Sequence, residues 1–254
     1  MVLIDTHCHL YAKEFEADIT DVIQRGIDAG VDQFYLPAID SSTHQAMLAL
    51  ELRFPGICVA MAGLHPCSVK ENYKDELARV EAMLAERKFA ALGETGLDFY
   101  WDRNFDEQQY QAFRQQIDWA VQYKLAIVIH SRESVQECIE EIKKQKGNIS
   151  GIFHCFSGTR EQAREIVECG LYLGIGGVIT YKKSNLPEIL ENISLQHMVL
   201  ETDAPYLSPV PYRGKRNESS YLVQVAQKLA EIKGVPVEEV AAITTANAQK
   251  IFGN

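Results

Sequence analysis

Two histidines one residue apart, in Asp5-Thr6-His7-Cys8-His9, close the opening apolar run Met1-Val2-Leu3-Ile4. In an extended strand alternate side chains share a face, so His7 and His9 can both offer a ring nitrogen to one cation. A lone His-x-His is equally a pair of hydrogen-bonded or solvated side chains, but here the pattern recurs. Four further strand-like runs end on a potential ligand: 89–94 on Glu94, 125–130 on His130, 151–154 on His154 and 198–203 on Asp203. Four imidazoles and two carboxylates exceed what one tetrahedral zinc needs. They suit two cations about 3.5 to 4 Å apart, bridged by a carboxylate and a water. Glu94 is the expected bridge, facing His7 and His9 on one side and His130 and His154 on the other. Asp203 is expected both to ligate the first cation and to accept the proton of an attacking water. The chemistry is hydrolysis.

Such a donor set needs elements that bring distant segments to one point. Strand-like runs lie near residues 2–6, 31–37, 57–63, 89–94, 125–130, 151–155, 171–176 and 198–202, and a helical pattern follows each. Apolar spacing predicts helices over 18–29 and 108–123 and two closing helices over 225–232 and 237–251. Thr159 with Gln162 and Ser134 with Glu137 have the form of capping boxes at helix starts. Strict alternation of strand and helix demands a parallel sheet, and eight units in about 250 residues match a single α/β domain, a (β/α)8 TIM-type barrel over residues 1–254. In that architecture the carboxyl ends of the strands meet at one mouth, where the six donors would converge. The glycine cluster Gly174-Ile175-Gly176-Gly177 lacks a dinucleotide fingerprint and is expected to serve close packing at the seventh strand.

The composition narrows the function. A chain of 254 residues, 46% hydrophobic, can bury a large core, while a net charge of -10 argues against gripping nucleic acid broadly through its phosphates. Six cysteines lack any Cys-x-x-Cys spacing, and no signal peptide precedes the first strand, which together imply a cytoplasmic protein with reduced thiols. No apolar run approaches the roughly 18 to 20 residues of a membrane helix. The oligomeric state is left open, and a monomer would suffice.

The motifs 5–10, Gly63-Leu64-His65-Pro66, 93–98, His130-Ser131-Arg132, 154–158 and 201–207 together resemble the TatD-type metal-dependent deoxyribonucleases of the amidohydrolase-like barrels. The resemblance covers essentially the whole chain. It implies that His7, His9, Glu94 and Asp203 hold one metal and Glu94, His130 and His154 the other. It further implies a magnesium-supported nuclease acting on DNA from a 3′ end. Ligand softness alone points instead to zinc, manganese, iron or nickel.

Other residues admit two readings each. His65 either binds substrate phosphate or assists catalysis, or merely bonds its own turn. Asp98 orients a ligand or caps a loop. Arg132 clamps a phosphate or pairs with Glu133. Arg213, Lys215 and Arg216 form a basic segment where a phosphate backbone would enter, or a solvated loop. Phe99, Tyr100 and Trp101 stack on bases or pack beneath the mouth. Cys8 and Cys155 are expected to point away from the cations, and Ser131 to cap a helix. A binuclear hydrolase of an amide or acyl ester, such as aminoacyl-tRNA, is the alternative function; a metal-stabilised binding protein is a third. Many binuclear amidohydrolases bridge with a carboxylated lysine at the fourth strand, where this chain has Glu94.

Overall fold

The computed structural model describes residues 1–253. Strands β1 (Leu3–Asp5), β2 (Val31–Leu36), β3 (Cys58–Ala60), β4 (Ala91–Asp98), β5 (Ala126–Arg132), β6 (Gly151–Phe153), β7 (Tyr172–Ile175) and β8 (Met198–Leu200) follow one another in order. Helices α1 (Ile19–Asp28), α2 (Ser41–Arg53), α3 (Tyr73–Glu86), α4 (Asp106–Tyr123), α5 (Val135–Lys143), α6 (Arg160–Glu168), α7 (Leu186–Leu190) and α8 (Leu222–Lys233) alternate with them, and α9 (Val237–Phe252) follows. Every strand pairing is parallel, in a three-stranded sheet β1-β2-β3 and a five-stranded sheet running from β4 to β8.

Two seams bring the sheets round into the (β/α)8 barrel. On one side Ala62 bridges to Leu92; on the other the Thr6 N–H donates to the Leu200 carbonyl at 3.1 Å. Asp5 laces the second seam, its carboxylate accepting from the Thr202 N–H at 2.9 Å and the Thr202 hydroxyl at 2.6 Å. Burial pushes the Asp5 carboxyl up to about 6 despite those donors.

Strand alternation sorts the apolar residues into two cores. Ile4, Tyr35, Val128, Ile152 and Val199 fill the barrel lumen together with Ile251 and Phe252 of α9, and Phe252 stacks on Tyr35 at 3.8 Å. Their strand neighbours Leu3, Phe34, Ile127, Ile129, Phe153 and Leu200 pack outward under the helices. Both faces of each strand are therefore buried, which is why the strands read as near-continuous apolar runs. Full burial of each such side chain contributes about 1.5–3 kcal/mol, enough in sum to oppose the chain entropy of ordering the barrel. The lumen period also carries the site: His130 lies two residues beyond Val128, and His154 two beyond Ile152.

Several local expectations are corrected. Thr159 and Gln162 do form a reciprocal capping box at α6, but Ser134 makes no cap bond to α5. Its hydroxyl instead donates to the Leu97 carbonyl at 2.6 Å, tying β4 to the start of α5. Ser131 caps nothing either, lying within β5. Strands β4 and β5 run past their expected ends at 94 and 130, so Asp98 and Arg132 are strand residues. Conversely, β1 stops at Asp5, and His7 and His9 meet through the turn beyond it. Gly174 and Gly177 serve close approach as expected. A Cβ at Gly174 would collide with the Glu201 carboxylate, and one at Gly177 with the Leu207 carbonyl. Among the described residues no helix is long and apolar enough to cross a membrane.

Candidate metal centre

All six predicted donors converge at the mouth formed by the carboxyl ends of the strands; five line a cleft of about 610 Å³, and His7, fully buried, meets them from beneath. Glu94, only 2% exposed, stands at the middle of the cluster. Its Oε2 is 3.1 Å from His7 Nε2 and 3.5 Å from His9 Nε2. Its Oε1 is 2.9 Å from His130 Nδ1, 3.4 Å from His65 Nε2 and 3.7 Å from His154 Nε2. Asp203 Oδ1 lies 3.5 Å from His9, 3.8 Å from His7 and 3.9 Å from His154, each measured to Nε2.

These contacts fit cations better than protons. His7 Nε2 and His9 Nε2 are 3.3 Å apart and both face the same Glu94 oxygen. A proton on one nitrogen satisfies one of these pairings, whereas a divalent cation between the three atoms satisfies all of them. Tautomers agree. The Tyr11 hydroxyl donates to the Pro37 carbonyl and so accepts from His9 Nδ1 at 2.9 Å, leaving the His9 Nε2 lone pair facing the site. The Glu201 carboxylate lies 2.9 Å from His154 Nδ1 without forming a directed hydrogen bond, so its charge favours the proton on Nδ1 and leaves Nε2 toward the site. Asp98 Oδ2, 2.8 Å from His130 Nε2, holds that ring with Nδ1 toward Glu94. His65 is different. Its Nδ1 accepts the Cys67 N–H at 3.0 Å, so the neutral ring carries its proton on Nε2 and presents a donor, not a lone pair, to the centre.

The electrostatics follow from this crowding. Burial opposes the charge on Glu94, yet His7, His65 and His154 and the bond from His130 hold its carboxyl well below the usual range. Asp203 is lowered against burial in the same way, by His9, His154 and His7. Burial also disfavours the charged form of His154, but Glu201, Glu94 and Asp203 outweigh it and push this imidazole up to about 10. His7 is lowered by burial and by His154, which stacks on it at 3.5 Å. The negative field that raises His154 is the field a cation would experience in its place.

Tyr11 and Glu201 were not singled out in the sequence, although partners that orient ligating imidazoles are expected of metal sites. Glu201 was findable: it follows Val199 by two residues and so continues the lumen face. The buried Asp98 takes the orienting role, and a loop role as well, since its Oδ1 accepts the N–H groups of Tyr100 and Trp101.

Around the rim, Cys8 is buried against the Tyr35 carbonyl, as expected. Cys155 is not turned away. β6 has ended and the backbone takes φ 45° there, bringing Cys155 into the cleft wall and its sulfur into a group with His154 and Glu201. Arg132 lines the cleft without pairing with Glu133, its guanidinium lying 3.8 Å over the Tyr100 ring. Arg213 stands outside the cleft lining, stacked on Tyr181 at 3.8 Å. Arg216 is committed elsewhere: it donates twice to Asp18 at 2.7 Å and braces the segment after β8 against the start of α1.

The family model described as TatD related DNase matches residues 4–253. The uncharacterized metal-dependent hydrolase YabD of Bacillus subtilis is 36% identical over 253 residues, which cover 99% of each chain. The 3'-5' ssDNA/RNA exonuclease TatD of Citrobacter rodentium is 33% identical over 261 residues, covering 99% of this chain and 98% of its own. The crystal structure of YjjV, a TatD homologue of Escherichia coli, superposes with a TM-score of 0.93 at 29% identity, covering 99% of this chain and 98% of the other. With donors and fold in agreement, the chain belongs to the TatD-related DNase family.

Proposed function

We propose that this protein is a metal-dependent hydrolase that removes nucleotides from the 3′ end of DNA. The observation that carries this reading is the division of imidazoles between the two oxygens of Glu94. His7, His9, Glu94 and Asp203 would hold one divalent cation, and Glu94, His130 and His154 the other. Bound there, such cations would polarise a phosphoryl oxygen and acidify a water. Asp203 accepts the proton of the attacking water. His65 donates from Nε2 to a phosphate oxygen, and Arg132 pairs with phosphate at the rim. The Citrobacter relative, named as a 3'-5' ssDNA/RNA exonuclease, supports the polarity and extends the candidates to RNA. Glu94 at the strand-four position weighs against amide hydrolysis, where a carboxylated lysine commonly bridges the cations.

The test is digestion of 5′-end-labelled DNA by chelated protein reloaded with magnesium, manganese or zinc. Progressively shortened labelled products with a cation, and none after chelation, are expected. Hydrolysis of an aminoacyl ester without any cleavage of DNA would overturn the reading.

Two further results are expected. Gly174→Ala crowds Glu201 and thereby frees the His154 ring, so cation affinity should fall about 10- to 100-fold; competition with a fluorescent chelator measures it, and unchanged affinity would remove Glu201 from the centre. With Arg216 held by Asp18, basic contacts reduce to Arg132, Arg213 and Lys215. The log-log salt slope for single strands should lie near about -2.1, at about -0.7 per phosphate. Arg213→Ala should flatten it by about 0.7 for every sequence tried, and an unaltered slope would exclude Arg213 from phosphate contact.

A further inference from the structure

We propose that Trp101, backed by Tyr100, forms a base-stacking shelf that selects unpaired nucleotides for the metal centre. The inference rests on the hydrolase reading above and adds what determines the form of the substrate. The run Phe99-Tyr100-Trp101 splits at the rim. Phe99 is buried at 7%, whereas Tyr100 and Trp101 are 49% and 67% exposed. Trp101 lines the cleft on the His130 side, and Tyr206, 50% exposed, lines it on the His9 side. Tyr100 is capped by Arg132 and packs edge-to-face against Trp101 at 4.9 Å, which leaves Trp101 as the most exposed ring at the entrance.

The shelf is held in place. Asp98 Oδ1 accepts the N–H of Tyr100 at 3.0 Å and of Trp101 at 3.1 Å, while Oδ2 is 2.8 Å from His130 Nε2. One buried carboxylate therefore sets both the imidazole of the centre and the loop carrying the rings. Lys70 fixes the far side of that loop through Asp102 at 2.7 Å. Arg132, exposed and without a carboxylate partner among the described residues, lies 3.8 Å over the Tyr100 ring and 5.1 Å from that of Trp101. Its flat face is packed and its N–H edge remains available for an anion.

A π surface, an unpaired guanidinium and a cation-binding centre side by side match one ligand chemistry: a nucleotide whose base is splayed out of any duplex. The base stacks on Trp101, the neighbouring phosphate meets Arg132, and the scissile phosphate reaches the cations that Glu94 and Asp203 would hold. Stacking reads no sequence, since every base has a π face. A paired end must first be unstacked to bind in this way.

The chain has two tryptophans, and the other, Trp119, is 5% exposed, so emission from Trp101 reports the shelf. Titrating magnesium-loaded, full-length protein with a cleavage-resistant phosphorothioate oligothymidylate should quench the exposed tryptophan, and Trp101→Phe should abolish the quench. Affinity for an intact strand should exceed that for a strand with abasic terminal nucleotides. Trp101→Ala should cut the affinity for the intact strand by about 5- to 150-fold, the loss of one base stack, and so collapse this preference; Trp101→Phe should keep most of it. If the wild type shows no quench, or if Trp101→Ala keeps the full preference while DNA is still cleaved, the shelf is overturned and the hydrolase reading stands. Quenching and preference in a protein that cleaves no DNA with any cation would support the shelf and overturn the hydrolase reading.

Discussion

Asp203→Asn should leave the barrel folded and cations bound, and lower turnover on DNA by about 10²- to 10⁴-fold, the usual contribution of a positioned proton acceptor. At about 1.4 kcal/mol per tenfold, this is about 3 to 6 kcal/mol of barrier. Asparagine is the informative replacement. Asp203 sits just beyond β8 with φ 57°, a left-handed conformation that Asp and Asn adopt more readily than other side chains, so the backbone is not perturbed. The amide retains an oxygen for the Oδ1 position near His9 and His7 but cannot take up a proton at neutral pH. Single-turnover rates and metal content from the same preparation check the result. Near-normal turnover with cations bound would remove Asp203 from the role of base.

Glu94→Gln should have the largest effect on metal binding. A unit charge about 4 Å from another is worth about 4 kcal/mol at an effective dielectric of 20. Losing it should weaken cation binding by on the order of 10³-fold, and one amide arm would turn an N–H₂ group toward ring nitrogens that need an anion between them. Cations at 100 times Kd stabilise a folded protein by about 2.7 kcal/mol, so the wild type should melt higher on adding metal and Glu94→Gln should respond far less. Equal shifts would contradict the bridging role.

The barrel and the convergence of donors were legible because both rest on periodicity. Strands buried on two faces read as apolar runs, and their carboxyl ends point to one mouth whatever the loops do. His130 and His154 follow from that rule alone. What the sequence concealed depends on where strands stop. Cys155 escapes alternation because β6 ends at Phe153, and Asp98 proved to be a strand residue because β4 runs on to it. Arg216 could not be separated from Arg213 by composition, since their difference is made by Asp18, a residue 198 positions away. The two-fold use of Asp98, one oxygen for an imidazole and one for the aromatic loop, leaves no trace in spacing.

Anomalous diffraction from crystals soaked in manganese tests the central claim most directly. Two peaks are expected on either side of the Glu94 carboxylate, one among His7, His9 and Asp203 and the other beside His130 and His154. A single peak, or peaks away from Glu94, would contradict a two-cation centre.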